Sequence, residues 1–331
     1  MIIKKGALMH AAVSVLFVGS AAAALVGCNS GASRLAPSGS MQQSAVPLAA
    51  QRGAAIALHP DLGKSWLHPA SQKLLYLSDY GTNDVYVYNY PSLTMAGTLT
   101  GFNGPQGECV DRKGDVYIAN SAGENILEYA HGGSKPIKTL SDPGQYPVGC
   151  AVSTNGDLAV SNIYSVVAGP GSVAWYPGAT GSPTIVYSKS FGRVYFLGYD
   201  KNGDLWLDGV NDSSVFQYGE IKHTNPTTII AKTLSQPISV PGGVQWDGRH
   251  MAVGDQNGAA IYQVRPDGST FGTTPLTGSG GVVQFFIEGS KVVGPDETNS
   301  NCEFFHYPAG GMVARMGPIT LSIAVGSAIS K

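Results

Sequence analysis

Between residues 74 and 331 apolar and polar positions alternate in short bursts, and the bursts recur. Six of them close on Asp or Asn, or once on Gly: 74–79 (LLYLSD), 116–120 (VYIAN), 158–162 (LAVSN), 205–209 (LWLDG), 251–255 (MAVGD) and 292–296 (VVGPD). Their last residues are 41, 42, 47, 46 and 41 positions apart. Alternation over five or six residues places every second side chain on one face, which predicts short β-strands. A polar loop and a second apolar strand follow each burst: 85–88 (VYVY), 126–129 (ILEY), 173–176 (VAWY), 215–218 (VFQY), 260–264 (AIYQV) and 302–307 (CEFFHY). A Gly/Pro turn then leads to a shorter strand, such as 137–140 or 184–187.

A fourth run precedes most units, at 105–111 (PQGECVD), 147–153 (PVGCAVS), 194–200 (VYFLGYD), 241–247 (PGGVQWD) and 282–288 (VVQFFIE). Tight turns such as RKGD, TNGD and KNGD join it to the next strand. Four short strands per unit, at a period in the low forties, predict an all-β fold: a six-bladed β-propeller of four-stranded antiparallel blades. A lone blade exposes both faces of its sheet, so blades are stable only when stacked. The run 318–325 (PITLSIAV) has no unit of its own and is expected to pair with 74–77, closing the ring and removing two free edges. Residues 65–70 (SWLHPA) compete for that place and are read instead as a lead-in.

The stretch 104–129, GPQGECVDRKGDVYIANSAGENILEY, resembles an NHL repeat. The match is good in the second unit, fair in the first and third, and reduced to strand spacing in the last three; it spans about residues 70–326. The chain also resembles bacterial secreted propellers carrying the phrase EYAHGG, residues 128–133. The resemblance implies a six-bladed propeller. It implies little about chemistry, because NHL-like propellers include binding platforms as well as lactonases and lyases that hold a metal near the axis.

Ahead of the repeats, Lys4 and Lys5 precede an apolar stretch, 7–24, and the residues Leu25-Val26-Gly27-Cys28, which resemble a bacterial lipobox. The order basic, apolar, small-residue site is the secretory pattern. Residues 1–27 are therefore read as a lipoprotein-type signal peptide and Cys28 as the lipidation site. Cleavage after Ala24 or a retained helix are the alternatives. Residues 28–58, rich in Ser, Gly, Ala and Pro with only Arg34 and Arg52 charged, read as a flexible tether to a propeller over 59–331. The expected location is the bacterial cell envelope, by lipid anchor, or else free secretion, with membrane contact through the anchor only.

Charge and composition narrow the partners. Only 13% of residues are charged, against 44 glycines and 16 tyrosines, which suits turn-rich β structure. The net charge of −2 becomes −4 once Lys4 and Lys5 leave with the signal peptide, and no basic cluster offers the counterion-releasing face that nucleic acid needs. A monomer with a protein, peptide or carbohydrate ligand is expected.

Candidate site residues follow from the repeat. Asp79, Asn120, Asn162, Asp255 and Asp296 occupy equivalent places where a strand enters a loop on one face of the ring. Such Asx side chains either crown the channel mouth or bond the backbone of their own loops, and recurrence in five blades favours the second. The Asp111–Asp115 and Asp200–Asp204 spacings read as hairpin turns on the opposite face rather than calcium loops, because the distal Glu is absent. Connections between blades carry Gln106 and Glu108, Gln145 and Tyr146, residues 190–193 and residues 236–240; the longest loop insertion is 163–171. The ligand site is expected there, near the axis, with Gln106 among its residues and Tyr80, Tyr146 and Tyr164 suited to sugars or aromatic groups.

Histidines 59, 68, 131, 223, 250 and 306 show no paired metal spacing, and no G-x-S-x-G elbow exists. No cofactor is expected for the preferred reading, a non-catalytic binding module. A divalent cation enters only under the alternative that the resemblance brings in, a metal-assisted hydrolase or lyase of the lactonase type. Aligning Pro105 on Pro147 puts Cys109 and Cys150 on opposite faces of equivalent strands. They are placed to meet between adjacent blades, as a disulfide that an exported compartment permits or as two buried thiols. Cys302 is left over.

Overall fold

The computed structural model describes residues 72–165, 169–316 and 321–331. The signal peptide, Cys28, the tether and residues 65–70 lie outside the described residues. Among the described residues, twenty-four strands form six sheets of four. Strands β1 (Leu74–Asp79), β2 (Asp84–Asn89) and β3 (Thr94–Leu99) belong to blade 1. Blade 2 holds β4 (Pro105–Val110), β5 (Val116–Asn120), β6 (Asn125–Tyr129) and β7 (Lys138–Ser141), and blade 3 holds β8 (Gln145–Val152), β9 (Leu158–Ser165), β10 (Ser172–Tyr176) and β11 (Thr184–Tyr187). Blade 4 holds β12 (Arg193–Tyr199), β13 (Leu205–Val210), β14 (Phe216–Ile221) and β15 (Ile230–Lys232). Blade 5 holds β16 (Pro241–Trp246), β17 (Met251–Asp255), β18 (Ala260–Val264) and β19 (Thr270–Pro275). Blade 6 holds β20 (Phe286–Glu288), β21 (Lys291–Asp296), β22 (Asn301–His306) and β23 (Met312–Arg315). The last strand, β24 (Ala324–Ser330), returns to blade 1 and gives the order β24-β1-β2-β3.

Closure by the final strand holds, but not with the residues the hydrophobic pattern selects. Leu74 to Leu77 pair with Ser330 to Ser327, so the closing strand begins at Ala324 rather than at Pro318. Residues 318–320 lie outside the described residues; Leu321 to Ile323 are not strand. Crowding is the reason. At Gly326 a Cβ would run into the Gln106 carbonyl and the Ser78 hydroxyl, so the innermost strand is built of small residues and reads weakly as an apolar run. In blade 6 the expected inner run over 282–288 pairs regularly only at Phe286–Glu288, with an isolated bridge from Val282 to Asp296.

The runs that open with Pro or Gly are the innermost strands. Hydrogen bonds tie them to the preceding blade: Ser78 Oγ of β1 donates to the Gln106 carbonyl, Ser121 Oγ after β5 to that of Pro147, Ser161 Oγ of β9 to that of Tyr195 at 2.6 Å, and Gly243 N of β16 to that of Val283 at 2.8 Å. Both faces of each sheet are buried against neighbours. Leu74, Tyr76, Val85 and Val87 pack on Val116, Ile118 and Tyr129 between blades 1 and 2, while Leu75 and Leu77 meet Val293, Cys302 and Phe304 between blades 1 and 6. The alternation in LLYLSD is thus apolar on both sides, as stacking requires.

The hairpins joining inner to second strands have the expected turn chemistry. Asp111 Oδ1 accepts from Lys113 N and Asp115 N at 2.8 and 2.9 Å, Asp200 Oδ1 from Asn202 N and Asp204 N at 2.8 and 3.0 Å. Gly114 and Gly203 take the left-handed conformation, φ +88° and +82°, that closes the turn.

Cys109 and Cys150 are joined by a disulfide, with Cα atoms 5.6 Å apart, across the boundary between blades 2 and 3. Cys302 is a buried free thiol.

Candidate functional site

The recurring Asx residues at the ends of the second strands are occupied by backbone. Asp79 accepts from Gly81 N at 2.9 Å in its own hairpin, and from Ser322 N at 2.7 Å and Ile323 N at 2.9 Å in the segment entering β24. Asn120 accepts from Asn103 N at 2.6 Å, Asp255 from Ser239 N, Val240 N and Gly258 N, and Asp296 from Gly280 N and Asn299 N. Each of the three carboxylates therefore clamps two things, the loop that leaves its strand and the chain that arrives at the inner strand of the same blade, while Asn120 holds the arriving chain and donates to Asn125 Oδ1 at 3.0 Å. Buried polar groups satisfied in this way stiffen the mouth.

Blade 3 solves the problem differently. Asn162 Nδ2 donates to Ser172 Oγ at 3.2 Å, which donates to Gln145 Oε1 at 3.0 Å. Buried Asp142 lies against Asn162; burial raises its carboxyl to about 6, although the Asn162 amide pulls it down. Blade 4 has Gly209 at the equivalent place, where a side chain would strike the Arg193 carbonyl.

With the Asx groups engaged, the axial mouth presents tyrosines. Tyr80 follows β1 and is held by its N–H to the Ile323 carbonyl at 2.9 Å. Its hydroxyl lies 3.0 Å from that of Tyr146 on β8. The Tyr146 ring stacks on Tyr164, centroids 5.0 Å apart and 17° between planes. Blades 1 and 3 are not neighbours, so these side chains can meet only close to the axis. Tyr146 is buried, Tyr80 and Tyr164 half-buried. Gln106 is half-buried on the inner strand of the intervening blade, its carbonyl taken by Ser78.

Arg193 enters the same mouth. Its charge lowers the hydroxyl pKa of both Tyr164 and Tyr195, and it bonds the Tyr195 side chain, yet burial dominates and raises both. Tyr146 is raised further, by burial first and by the Tyr80 hydroxyl second. The Tyr146, Tyr164 and Tyr195 hydroxyls therefore stay protonated at neutral pH and serve as neutral donors and acceptors, beside one guanidinium.

Tyr80, Tyr195, Phe196, Val283, Ile323 and Val325 belong to one apolar cluster drawn from blades 1, 4, 5 and 6. Further along, the Gln284 amide exchanges two hydrogen bonds with the backbone of Glu108, N to Oε1 and Nε2 to O, each 2.8 Å. Glu108 is buried and its carboxyl raised well above the ordinary range by desolvation. Among the described residues no three His, Cys, Asp or Glu side chains converge on one point.

The spacing of the repeats brought Tyr80, Tyr146, Tyr164 and Gln106 to the mouth, and placed Asp79, Asn120, Asp255 and Asp296 in the loops rather than around an opening. Tyr195 and Gln284 were missed; a lone polar residue in VVQFFIE was the available signal for Gln284.

No protein-family model matches the sequence, and no curated protein does. Solved structures match over most of the chain. A chain of a nidogen/laminin complex superposes with TM-score 0.64 at 14% identity, covering 78% of this chain and 98% of that one. The fold is an NHL-like six-bladed propeller. A Bacteroides caccae protein of unknown function gives TM-score 0.58 at 10% identity, covering 79% of this chain and 100% of its own. A streptogramin B lyase gives 0.50 at 14%, covering 78% and 76%. At these identities the likeness establishes the propeller and no activity.

Proposed function

We propose that this NHL-like propeller is a non-catalytic binding module that takes a peptide or carbohydrate ligand at its axial mouth, exported and held in the cell envelope through a lipid on Cys28. The observation that carries the reading is the meeting of Tyr80, Tyr146 and Tyr164 from non-adjacent blades, with Arg193 beside them. Protonated phenols suit sugar hydroxyls and aromatic side chains, and the half-buried Tyr80 and Tyr164 present theirs from a rigid ring without an ordering cost. Fold-level likeness to a chain of a nidogen/laminin complex supports protein recognition as one use of this architecture.

The test is a glycan- and peptide-array screen of the purified propeller, followed by titration of any hit against Tyr164→Ala and Tyr80→Phe. A loss of about tenfold or more for Tyr164→Ala, the cost of about 1.4 kcal/mol of contact, is expected. Hits that bind both variants as tightly as the parent would place the ligand elsewhere. The metal-assisted hydrolase or lyase alternative makes a separate demand: a stoichiometric divalent ion in the purified mature protein, which elemental analysis reads directly.

A further inference from the structure

The turn end of the ring holds a second feature, between blades 3 and 4. A cleft of about 300 Å³ opens there, walled by Val173, Val186, Leu205 and Ile221 with Trp175 and Tyr199. The repeat explains why it opens. The residue three positions before each Asx terminus faces the next blade: Tyr76 fills the 1–2 boundary, Tyr117 the 2–3 boundary and Trp206 the 4–5 boundary. In blade 3 that residue is Ala159, with Ala151 paired beside it. Ala252 repeats the change in blade 5, but Phe285 and Phe305 pack against it from blade 6. At the 3–4 boundary Phe191 fills the mouth side, against Gly209 and Gly219, and leaves the turn side open.

The charges around the opening do not cancel. Asp204 is matched by Lys222 at 2.9 Å and bonded by the His223 ring, and Glu220 is matched by Lys232 at 3.0 Å. Lys201, exposed on the β12–β13 turn, makes no ion pair among the described residues, and neither does its neighbour Asp200, so these two offset each other. Asp157 is left over. It is half-buried in the wall of the cleft, where Oδ1 accepts from Gly178 N at 2.8 Å and no cation among the described residues pairs with it. After burial, its charge is the next cause that raises the Tyr199 hydroxyl, and the Trp175 side chain bonds that hydroxyl. One carboxylate and two aromatic side chains therefore meet in the same wall.

We propose that this cleft is a binding site for a small arylalkyl amine, its ring in the apolar depth and its ammonium on Asp157. A half-buried carboxylate is costly without a counter-charge, and an amine supplies the one this wall lacks. Aromatic side chains beside the carboxylate favour a cation further. The ring takes the space that an interblade aromatic residue fills elsewhere in the repeat. A carboxylate ligand would face Asp157, and a sugar's hydroxyls would lack partners in the depth. The volume, at the small end for ligand pockets, suits one ring with a short arm.

The experiment is calorimetric titration of the whole propeller with 2-phenylethylamine and, in parallel, with neutral 2-phenylethanol. One saturable site for the amine is expected, with the alcohol weaker by about tenfold or more. Asp157→Asn keeps the oxygen that accepts from Gly178 and is expected to bring the amine down to the affinity of the alcohol, leaving the alcohol within twofold. Lys201→Gln removes the nearest competing cation and is expected to tighten the amine about threefold. Val186→Trp fills the cleft from the outer strand and is expected to abolish both ligands. If that variant misfolds, the other two decide. No saturable binding of the amine by the parent protein, an alcohol that binds as tightly, an amine undisturbed by Asp157→Asn, or a weaker amine in Lys201→Gln would each overturn the proposal. None of these results bears on the tyrosines at the other mouth, so the two sites stand or fall separately.

Discussion

The boundary between blades 2 and 3 and the boundary between blades 3 and 4 are built from the same repeat and end in opposite states. At the first, Tyr117 is 3% exposed and packs on Leu158, Val160 and Tyr176, Ser121 bonds the Pro147 carbonyl, and Cys109 is linked to Cys150. At the second, Ala159 stands where Tyr117 stood, Ser161 makes the matching bond to the Tyr195 carbonyl, and part of the boundary stays open. Backbone ties are retained at both, while side-chain volume is not. A propeller needs every blade to be held, and it can leave one boundary underfilled without losing the ring.

Breaking the filled boundary should cost most. Replacing Cys109 and Cys150 together by Ser and Ala removes a cross-link over 41 residues, for which chain entropy predicts about 4 kcal/mol; guanidinium denaturation of oxidised parent and variant measures it. Tyr117→Ala should cost about 3 kcal/mol by the same measurement, through lost burial and the cavity left. Ala159→Leu, its counterpart in the open boundary, should change stability by less than about 1 kcal/mol, or raise it. Equal losses at the two positions would mean that they are packed alike.

Asp142, in the connection from blade 2 to blade 3, adds a pH signature. Its carboxyl is raised to about 6 in the folded chain, chiefly by burial. The folded state therefore holds a proton that the unfolded state has released. Its stabilising effect is complete below about pH 4 and fades as pH rises to about 6. Asp142→Asn should remove about 2 kcal/mol of that decline in thermal-melt series between pH 4 and 7, after allowance for partial hydration. A smaller effect belongs to the mouth: Tyr146→Phe deletes the hydroxyl facing Tyr80 and should cost about 1 kcal/mol, read as a shift in denaturation midpoint at unchanged slope.

Strand positions, hairpin turns and blade count were legible because they depend on neighbours in the chain. The bursts at 74–79, 116–120 and 251–255 match β1, β5 and β17 residue for residue. The closing strand was misplaced because the innermost position rewards small side chains such as Gly326, Ser327 and Ala328, whereas a hydrophobic pattern rewards large ones. The Asx positions were located from the repeat, but their second partners, such as Ser322 and Ile323 for Asp79, lie up to 244 residues away. The open cleft has a faint signal in Ala159, visible only once Tyr76 and Tyr117 are known to face their neighbours.

Sequence alone determined six units of four strands, their order and their turns, since alternation and turn residues act over a few positions. Tertiary structure decided which side chains meet across the axis, Tyr80 with Tyr146 and Gln284 with Glu108, and which boundary stays open. Those outcomes depend on where closure sets each blade, and on whether a neighbour's bulk, like Phe285 against Ala252, reaches the space that a small residue leaves.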